Sequence, residues 1–429
     1  MSAQEAEPPS PPVRRSMPAW SALLLLLPSG MSAGLALVAL PYLLTQRGVS
    51  VERIGASLAL ALLPFTWKVL LGPMVDLGAR RRTWFVAMTG LGAVAVVLLG
   101  ALLQRGVHGL SLDGLLVLAT LSGAIADSAA ASLCATLMPT EQRGRASSFY
   151  AVGQTLWTGL LGSLILLLYE PPALLRALHP ALGRGLSLSV IAGGAALGML
   201  GVGALALLLD EPARPRGSGG EQLRAVAQDA WLLLRTPAGW IGFLLCVLPL
   251  GSGALANLQG ALAAEYGASP QSVALLGGIG TTVISVLGSL LGGGLADRIG
   301  PRLAYLGLSA VQGVASLVLA LLPATPFFYG FGCLSYGLLS GACYAAFYAY
   351  IFDLIGKRTA TTTAIGLYCG AGSMAVAYMT FVEGRMHALG GRVALLVTDG
   401  ASSLLAVLLC AVVLYGGRAL WERPARQAC

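Results

Sequence analysis

Gly72-Pro73-Met74-Val75-Asp76, followed by Arg80, Arg81 and Arg82, returns as Gly293-Gly294-Leu295-Ala296-Asp297, followed by Arg298 and Arg302. The two glycines are 221 residues apart, and so are the two aspartates. Leu27-Pro28-Ser29-Gly30 recurs at the same offset as Leu248-Pro249-Leu250-Gly251. Two landmarks repeating in register across a chain of 429 residues indicate two copies of one structural unit.

Composition identifies the solvent of that unit. Hydrophobic residues make up 56% and charged residues 10%, against roughly 25% charged in soluble domains. The mean hydropathy is +0.80. Apolar runs of about 20 residues, each long enough to cross ~30 Å of hydrocarbon, alternate with short charged or Pro/Gly-rich breaks. They predict twelve transmembrane helices over 19–45, 51–76, 83–103, 110–138, 146–169, 185–209, 237–264, 271–296, 302–322, 326–355, 360–384 and 392–417. A β-barrel would instead show alternating segments of about ten residues. The expected fold is therefore an all-α membrane protein of two pseudo-symmetric six-helix bundles.

Basic residues orient the chain. On these spans 18 of the 26 Lys and Arg share one side, which places both termini in the cytoplasm of an inner or plasma membrane protein. The net charge of +8 is then a topology signal and needs no nucleic acid. Residues 1–17 read as a disordered cytoplasmic tail and 18–209 as the first bundle. A linker with an amphipathic helix follows over 210–235, then a second bundle over 236–418 and a tail over 419–429. The seven cysteines include no C-x-x-C pair and read as packing residues, with no metal or cofactor implied.

Pro28 with Gly30, and Pro249 with Gly251, lie mid-span in the corresponding helices 1 and 7. Paired Gly/Pro interruptions point to a central binding site, because they free backbone carbonyls that only a cavity or a neighbouring helix can satisfy. At the cytoplasmic ends of helices 2 and 8, Asp76 and Asp297 can each sit against the positive end of a neighbouring helix, bridged by local arginines. The expected partners are the starts of helix 11 and helix 5, giving latches that break when the cytoplasmic side opens.

Gly72-x-x-x-Asp76 with Arg80 and Arg81, and Gly293-x-x-x-Asp297-Arg298 with Arg302, resemble the helix 2–3 and 8–9 signature of the major facilitator superfamily. Within it, Lys68 through Asp76, and Pro139-Thr140-Glu141-Gln142-Arg143 after helix 4, resemble the muropeptide permease and acetyl-coenzyme A transporter group. That group carries two helix 4 aspartates four residues apart; here Asp127 matches the first and Ala131 stands at the second. The resemblance implies uptake of an anionic cell-wall fragment or coenzyme-A-type solute.

Charges inside spans cost about 2.5–3.5 kcal/mol on insertion scales and mark cavities or partners. Lys68 and Asp127 are expected about 12 Å and about 16 Å from the cytoplasmic surface, at depths that allow an intramembrane pair. Asp399 is read as structural. Tyr344 and Tyr348 share a face of helix 10 with Phe347 and Ile351. Asn257 and Gln259 stand about 200° apart around helix 7, so only one is expected to face a common cavity, with Asn257 preferred. Gln154 adds an amide from helix 5. The sequence has no P-loop or H-E-x-x-H motif, so it is not read as an enzyme. The expected activity is secondary active transport of a small solute by a monomer in the lipid bilayer, coupled to protons. Efflux of drugs or amphiphilic metabolites is the alternative.

Overall fold

The computed structural model describes residues 18, 20–67, 70–71, 74–75, 79–106, 109–137, 143–172, 185–209, 211, 224, 227–228, 230–232, 234–355 and 361–412. Among them every regular element is a helix. We number the spans α1 (21–45), α2 (Val51–Thr66), α3 (Arg81–Gln104), α4 (Leu110–Leu137), α5 (Arg143–Tyr169) and α6 (Leu188–Ala206). The second series is α7 (237–262), α8 (270–299), α9 (Pro301–Leu321), α10 (Pro326–Ile355), α11 (361–389) and α12 (392–411). Nine stretches among the described residues are long and apolar enough to cross a membrane unaided. The difference from twelve has local causes. The α-helix of α2 is 16 residues long, and α7 is divided into pieces of 11 and 9 residues. Helices α11 and α12 are hydrogen-bonded almost continuously across the reversal at Gly390 and Gly391, where Gly391 takes φ +64°.

The helix ends show why these segments start where they do. The Ser50, Ser187, Thr236 and Ser269 side chains accept the orphan N–H groups of Arg53, Val190, Gly239 and Ser272. α3 has no such cap of its own. Glu211, just beyond α6, supplies it from outside, accepting the Arg81 and Arg82 N–H groups at 3.0 Å each. Arg82 reciprocates by donating to the Leu207 and Leu209 carbonyls, placing a cation at the negative end of α6. α3 and α6 are thereby clamped in both directions.

Within α1–α6, α1 packs on α5 while α3 packs on α4 and α6; within α7–α12, α10 packs on α8 and α9, and α9 on α12. The two sets meet through α2 against α11 and α5 against α8. We call the side where α1 begins and α12 ends the tail face, and the opposite side the far face. The seam is built on missing side chains. A Cβ on Gly55 of α2 would stand 2.9 Å from the Thr380 carbonyl oxygen and 3.1 Å from the Gly384 Cα. A Cβ on Gly278 of α8 would overlap the Ser163 hydroxyl of α5. Small residues here bring two backbones to contact distance where no hydrophobic effect draws helices together.

Polar contacts across the seam lie toward the far face. Arg385 of α11 pairs with Glu52 at the start of α2. The Thr45 hydroxyl donates to the Ala261 carbonyl at 3.3 Å, and the Ser163 hydroxyl to the Ala274 carbonyl at 2.8 Å. A leucine at Gly384 has no room, since even its Cβ would stand 3.2 Å from the Gly55 Cα. Gly384→Leu should cost about 1–3 kcal/mol of stability and part the far face. A cysteine placed at Thr45 should then react faster with an impermeant maleimide than in the parent; equal rates would show that the seam does not close this face.

Candidate functional site

The helix that shapes the site is α7. It runs as a helix over Pro237–Val247, unwinds through 248–253 and resumes over Ala254–Leu262. Leu248 is extended, and Gly251 and Gly253 take φ +54° and +74°, a region that disfavours any side chain. Gly251 also has no space, because a Cβ there would stand 2.9 Å from Cys343 Sγ and 3.1 Å from Ser309 Oγ. Neighbouring helices satisfy the opened backbone. Tyr378 of α11 donates to the Val247 carbonyl at 2.8 Å and Tyr305 of α9 to the Leu250 carbonyl at 3.1 Å. The Gly251 N–H donates to Ser403 of α12 at 3.2 Å.

A cavity of about 430 Å³ opens beside this break. The backbone of 250–253 forms one wall, α10 contributes Tyr344, Phe347 and Tyr348, α8 contributes Ser285 and Ser289, and α5 reaches it through Thr155. The Tyr344 and Tyr348 hydroxyls are 3.0 Å apart and their rings meet edge to face. Tyr344 is 52% exposed, so its hydroxyl is reachable from the cavity. Ile351, the fourth residue of the expected stripe, is fully buried in the adjoining core. A second cavity of about 250 Å³ lies on the seam between α1, α5, α7 and α8. It abuts the π-helical turns of α1 (Leu35–Ala39) and α8 (Val273–Gly280) through Val38 and Gly278. No Asp, Glu, Lys, Arg or His is among the described residues that line either cavity.

Asn257 borders both cavities and donates its amide to the Thr380 hydroxyl of α11 at 3.1 Å. Gln259 joins it on the seam cavity, which departs from the expectation that the helix would separate them. Ala256, Asn257 and Gln259 all line this cavity, so its wall includes residues about 200° apart on α7. Gln154 lines the seam cavity and donates to both carboxylate oxygens of Asp127, at 3.3 and 3.2 Å. Asp127 is 5% exposed and also accepts the Tyr150 hydroxyl. Tyr150 and Gln154, one turn apart on α5, thus connect a buried carboxylate of α4 to the seam. Sequence reasoning overlooks Tyr150, although its i, i+4 spacing from Gln154 could have indicated a shared partner.

The α1 interruption differs from the one expected at Pro28 and Gly30. Only Leu26 leaves the helix, and Pro28 sits in the first turn of the resumed segment, where its missing N–H is harmless. Gly30 faces α5, where a Cβ would stand 2.2 Å from the Trp157 Cβ. The same residue pair that opens α7 therefore serves close packing in α1. At the tail face, Gly293 has open space beside it, and Asp297, Arg298 and Arg302 are exposed. Asp297 makes no hydrogen bond or ion pair with a described residue. Arg80 is exposed, while Arg81 reaches the Ser132 carbonyl at 3.4 Å. Lys68, Gly72, Asp76 and the Arg143 side chain lie outside the described residues.

The sequence profile of the Major Facilitator Superfamily matches residues 22–377. The fold is similar to the crystal structure of the nucleoside transporter NupG, with a TM-score of 0.64 at 13% identity over 95% of this chain and 100% of that one. It is also similar to a bacterial homolog of the human lysosomal transporter Spinster, in its inward-facing and unoccupied conformation. There the TM-score is 0.61 at 15% identity, over 94% of this chain and 95% of that one. The twelve-span architecture and a profile match over most of its length place this chain in the Major Facilitator Superfamily, as a multi-pass integral membrane protein.

Proposed function

We propose that the protein is a secondary active transporter that moves an uncharged, hydroxyl-rich solute by alternating access, driven by a proton gradient. The observation that carries this reading is the cavity beside the α7 break. It borders the seam between the two helix sets, and its polar groups are hydroxyls, thiols, one amide and opened backbone. Hydroxyls and amides recognise a neutral polar solute through paired donors and acceptors, and Tyr344, Phe347 and Tyr348 suit a flat or apolar face. The uncharged lining favours such a solute over the anionic ones implied by the resemblance to muropeptide and acetyl-coenzyme A carriers. Nucleosides, after which the similar transporter NupG is described, fall in the favoured class.

The far-face contacts lie on one side of the cavities, so this conformation reads as closed at the far face. The positive-inside pattern makes the far face extracellular or periplasmic, with the termini cytoplasmic. On this reading Asp297, exposed and unbridged by any described residue, is a latch half released. The cycle requires the seam at Gly55·Gly384 and Gly278·Ser163 to part while tail-face contacts form. We read Asp127 as the carboxylate that couples transport to protons; supporting this, Tyr150 and Gln154 connect it to the seam cavity. Efflux of amphiphilic metabolites is favoured only by the apolar share of the lining, Leu248, Leu250, Val286 and Val376 among it.

Proteoliposomes with an imposed pH gradient separate these readings, with a nucleoside, an anionic muropeptide and an amphiphilic dye as three probes. The expected result is saturable, gradient-dependent accumulation of the nucleoside. Movement of the muropeptide or dye alone would overturn the proposed solute class. Asp127→Asn should abolish gradient-driven accumulation while leaving solute exchange at equal pH; unaltered accumulation would remove Asp127 from the coupling. Joint replacement of Tyr344 and Tyr348 by Phe should raise KM roughly tenfold, the equivalent of about 1.4 kcal/mol of lost hydrogen bonding. An unchanged KM would place the solute elsewhere.

A further inference from the structure

The second half of the chain buries a polar cluster that neither cavity uses. Glu383 of α11 and Asp399 of α12 stand side by side in the core enclosed by α9, α10, α11 and α12. They are 0% and 4% exposed. Asp399 accepts hydrogen bonds from the Ser316 hydroxyl of α9 at 2.5 Å and the Tyr336 hydroxyl of α10 at 3.2 Å. Both Glu383 oxygens lack a well-formed hydrogen bond, and so does the Oε1 of Gln312, 1% exposed on α9.

The charged groups on the surrounding elements are engaged elsewhere. On α11, Arg385 pairs with Glu52 and His387 with Glu265 of the α7–α8 connection. On α12, Arg392 donates to the Tyr266 hydroxyl and to the Leu319 and Leu322 carbonyls. On α2, which packs against α11, Arg53 pairs with Asp113. Among the described residues, what faces the pair is neutral: Ser316 and Gln312 from α9 and Tyr336 from α10.

Two ionised carboxylates beside one another, in a low-dielectric core and with no cation among the described residues facing them, repel each other and lack solvation. One proton removes half of that charge. It also supplies, as in aspartic protease dyads, a donor between two carboxyl groups that otherwise only accept, and the Glu383 oxygens have no other donor among the described residues. We propose that Glu383 and Asp399 form a proton-binding pair in the second half of the transporter, a site separate from Asp127. Binding converts one carboxylate and one solvent proton to a carboxylic acid, with the second carboxylate accepting its hydrogen bond.

The position of Glu383 links the pair to the moving parts. Thr380, one turn away on α11, accepts the Asn257 amide at the cavity wall. Gly384 is the α11 contact of Gly55 across the seam, and Arg385 makes the far-face ion pair. Glu383 sits between these three, so parting of the seam alters the surroundings of the pair. Its role in the cycle rests on the proton-coupled reading above; its occupancy by a proton does not.

Infrared difference spectroscopy of the full-length protein in lipid nanodiscs, with pH as the only variable, tests the pair without a solute. The expected result is a band of a protonated, buried carboxyl that titrates in the parent, is lost in Glu383→Gln, and survives in Asp127→Asn. Glu383→Asp, which keeps the carboxyl, should retain a shifted band and guards against misfolding of the Gln variant. A parent spectrum without that band, or one unaltered by Glu383→Gln, would overturn the proposal. A second readout separates a working site from a static acid. Labelling of Thr45→Cys at the far face should change with pH in the parent and in Glu383→Asp, and be flat in Glu383→Gln. The same pH response in all three would overturn a role in the cycle, whether or not Asp127 proves to drive accumulation.

Discussion

Unwound backbone inside a membrane survives only where other helices replace the hydrogen bonds it has given up, since hydrocarbon offers none. The site depends on that constraint at α7. Tyr305, Tyr378 and Ser403, from three different helices, bind the groups freed between Val247 and Gly251. Their convergence explains why one face of the cavity is opened backbone while the rest is hydroxyl and aromatic surface. It also explains why the break is stable: the lost helical turn is exchanged for three tertiary bonds, each from a buried or half-buried side chain.

Around that fixed point the helices are joined by absence of bulk. Gly55, Gly384, Gly159 and Gly278 let α2 meet α11 and α5 meet α8 with backbone nearly in contact. Contacts of this kind rest on van der Waals packing over a thin strip and contain few directional bonds to break. The polar clasps that accompany them, Glu52 with Arg385 and the Ser163 hydroxyl with the Ala274 carbonyl, are correspondingly few. A seam of this composition separates without exposing stranded buried charges, which is what a reversible gate needs.

Much of the architecture was legible in the sequence. The duplicated Gly-x-x-x-Asp motif and the spacing of apolar runs led to two six-helix sets, because repeat length and span length are set by the bilayer rather than by tertiary detail. Chemistry inside the bundle was less legible. Pro249 with Gly251 and Pro28 with Gly30 are the same pair, yet only the former opens its helix. The difference lies in what stands opposite: the Trp157 side chain of α5 against Gly30, and three side chains able to bind freed backbone groups, Tyr305, Tyr378 and Ser403, around Pro249 and Gly251. Asp127 stood out as an intramembrane carboxylate, but its partners on α5 depend on helix rotation that no spacing reveals. Glu383 was missed because it lies at the end of a span, where a carboxylate is unremarkable until folding places it against α12. Glu211 was missed for a similar reason, since capping from another helix leaves no local motif.

The repeat is symmetric in sequence and asymmetric in mechanics. α1 continues through its proline almost intact, whereas α7 is cut in two and held by side chains from α9, α11 and α12. The first half of the molecule thus keeps nearly continuous helix at this level, and the second opens its backbone there. Selection for a new solute would accordingly act unevenly: most positions able to reshape the cavity beside the break belong to α7 to α11, whereas the first six helices reach it, among the described residues, through Thr155.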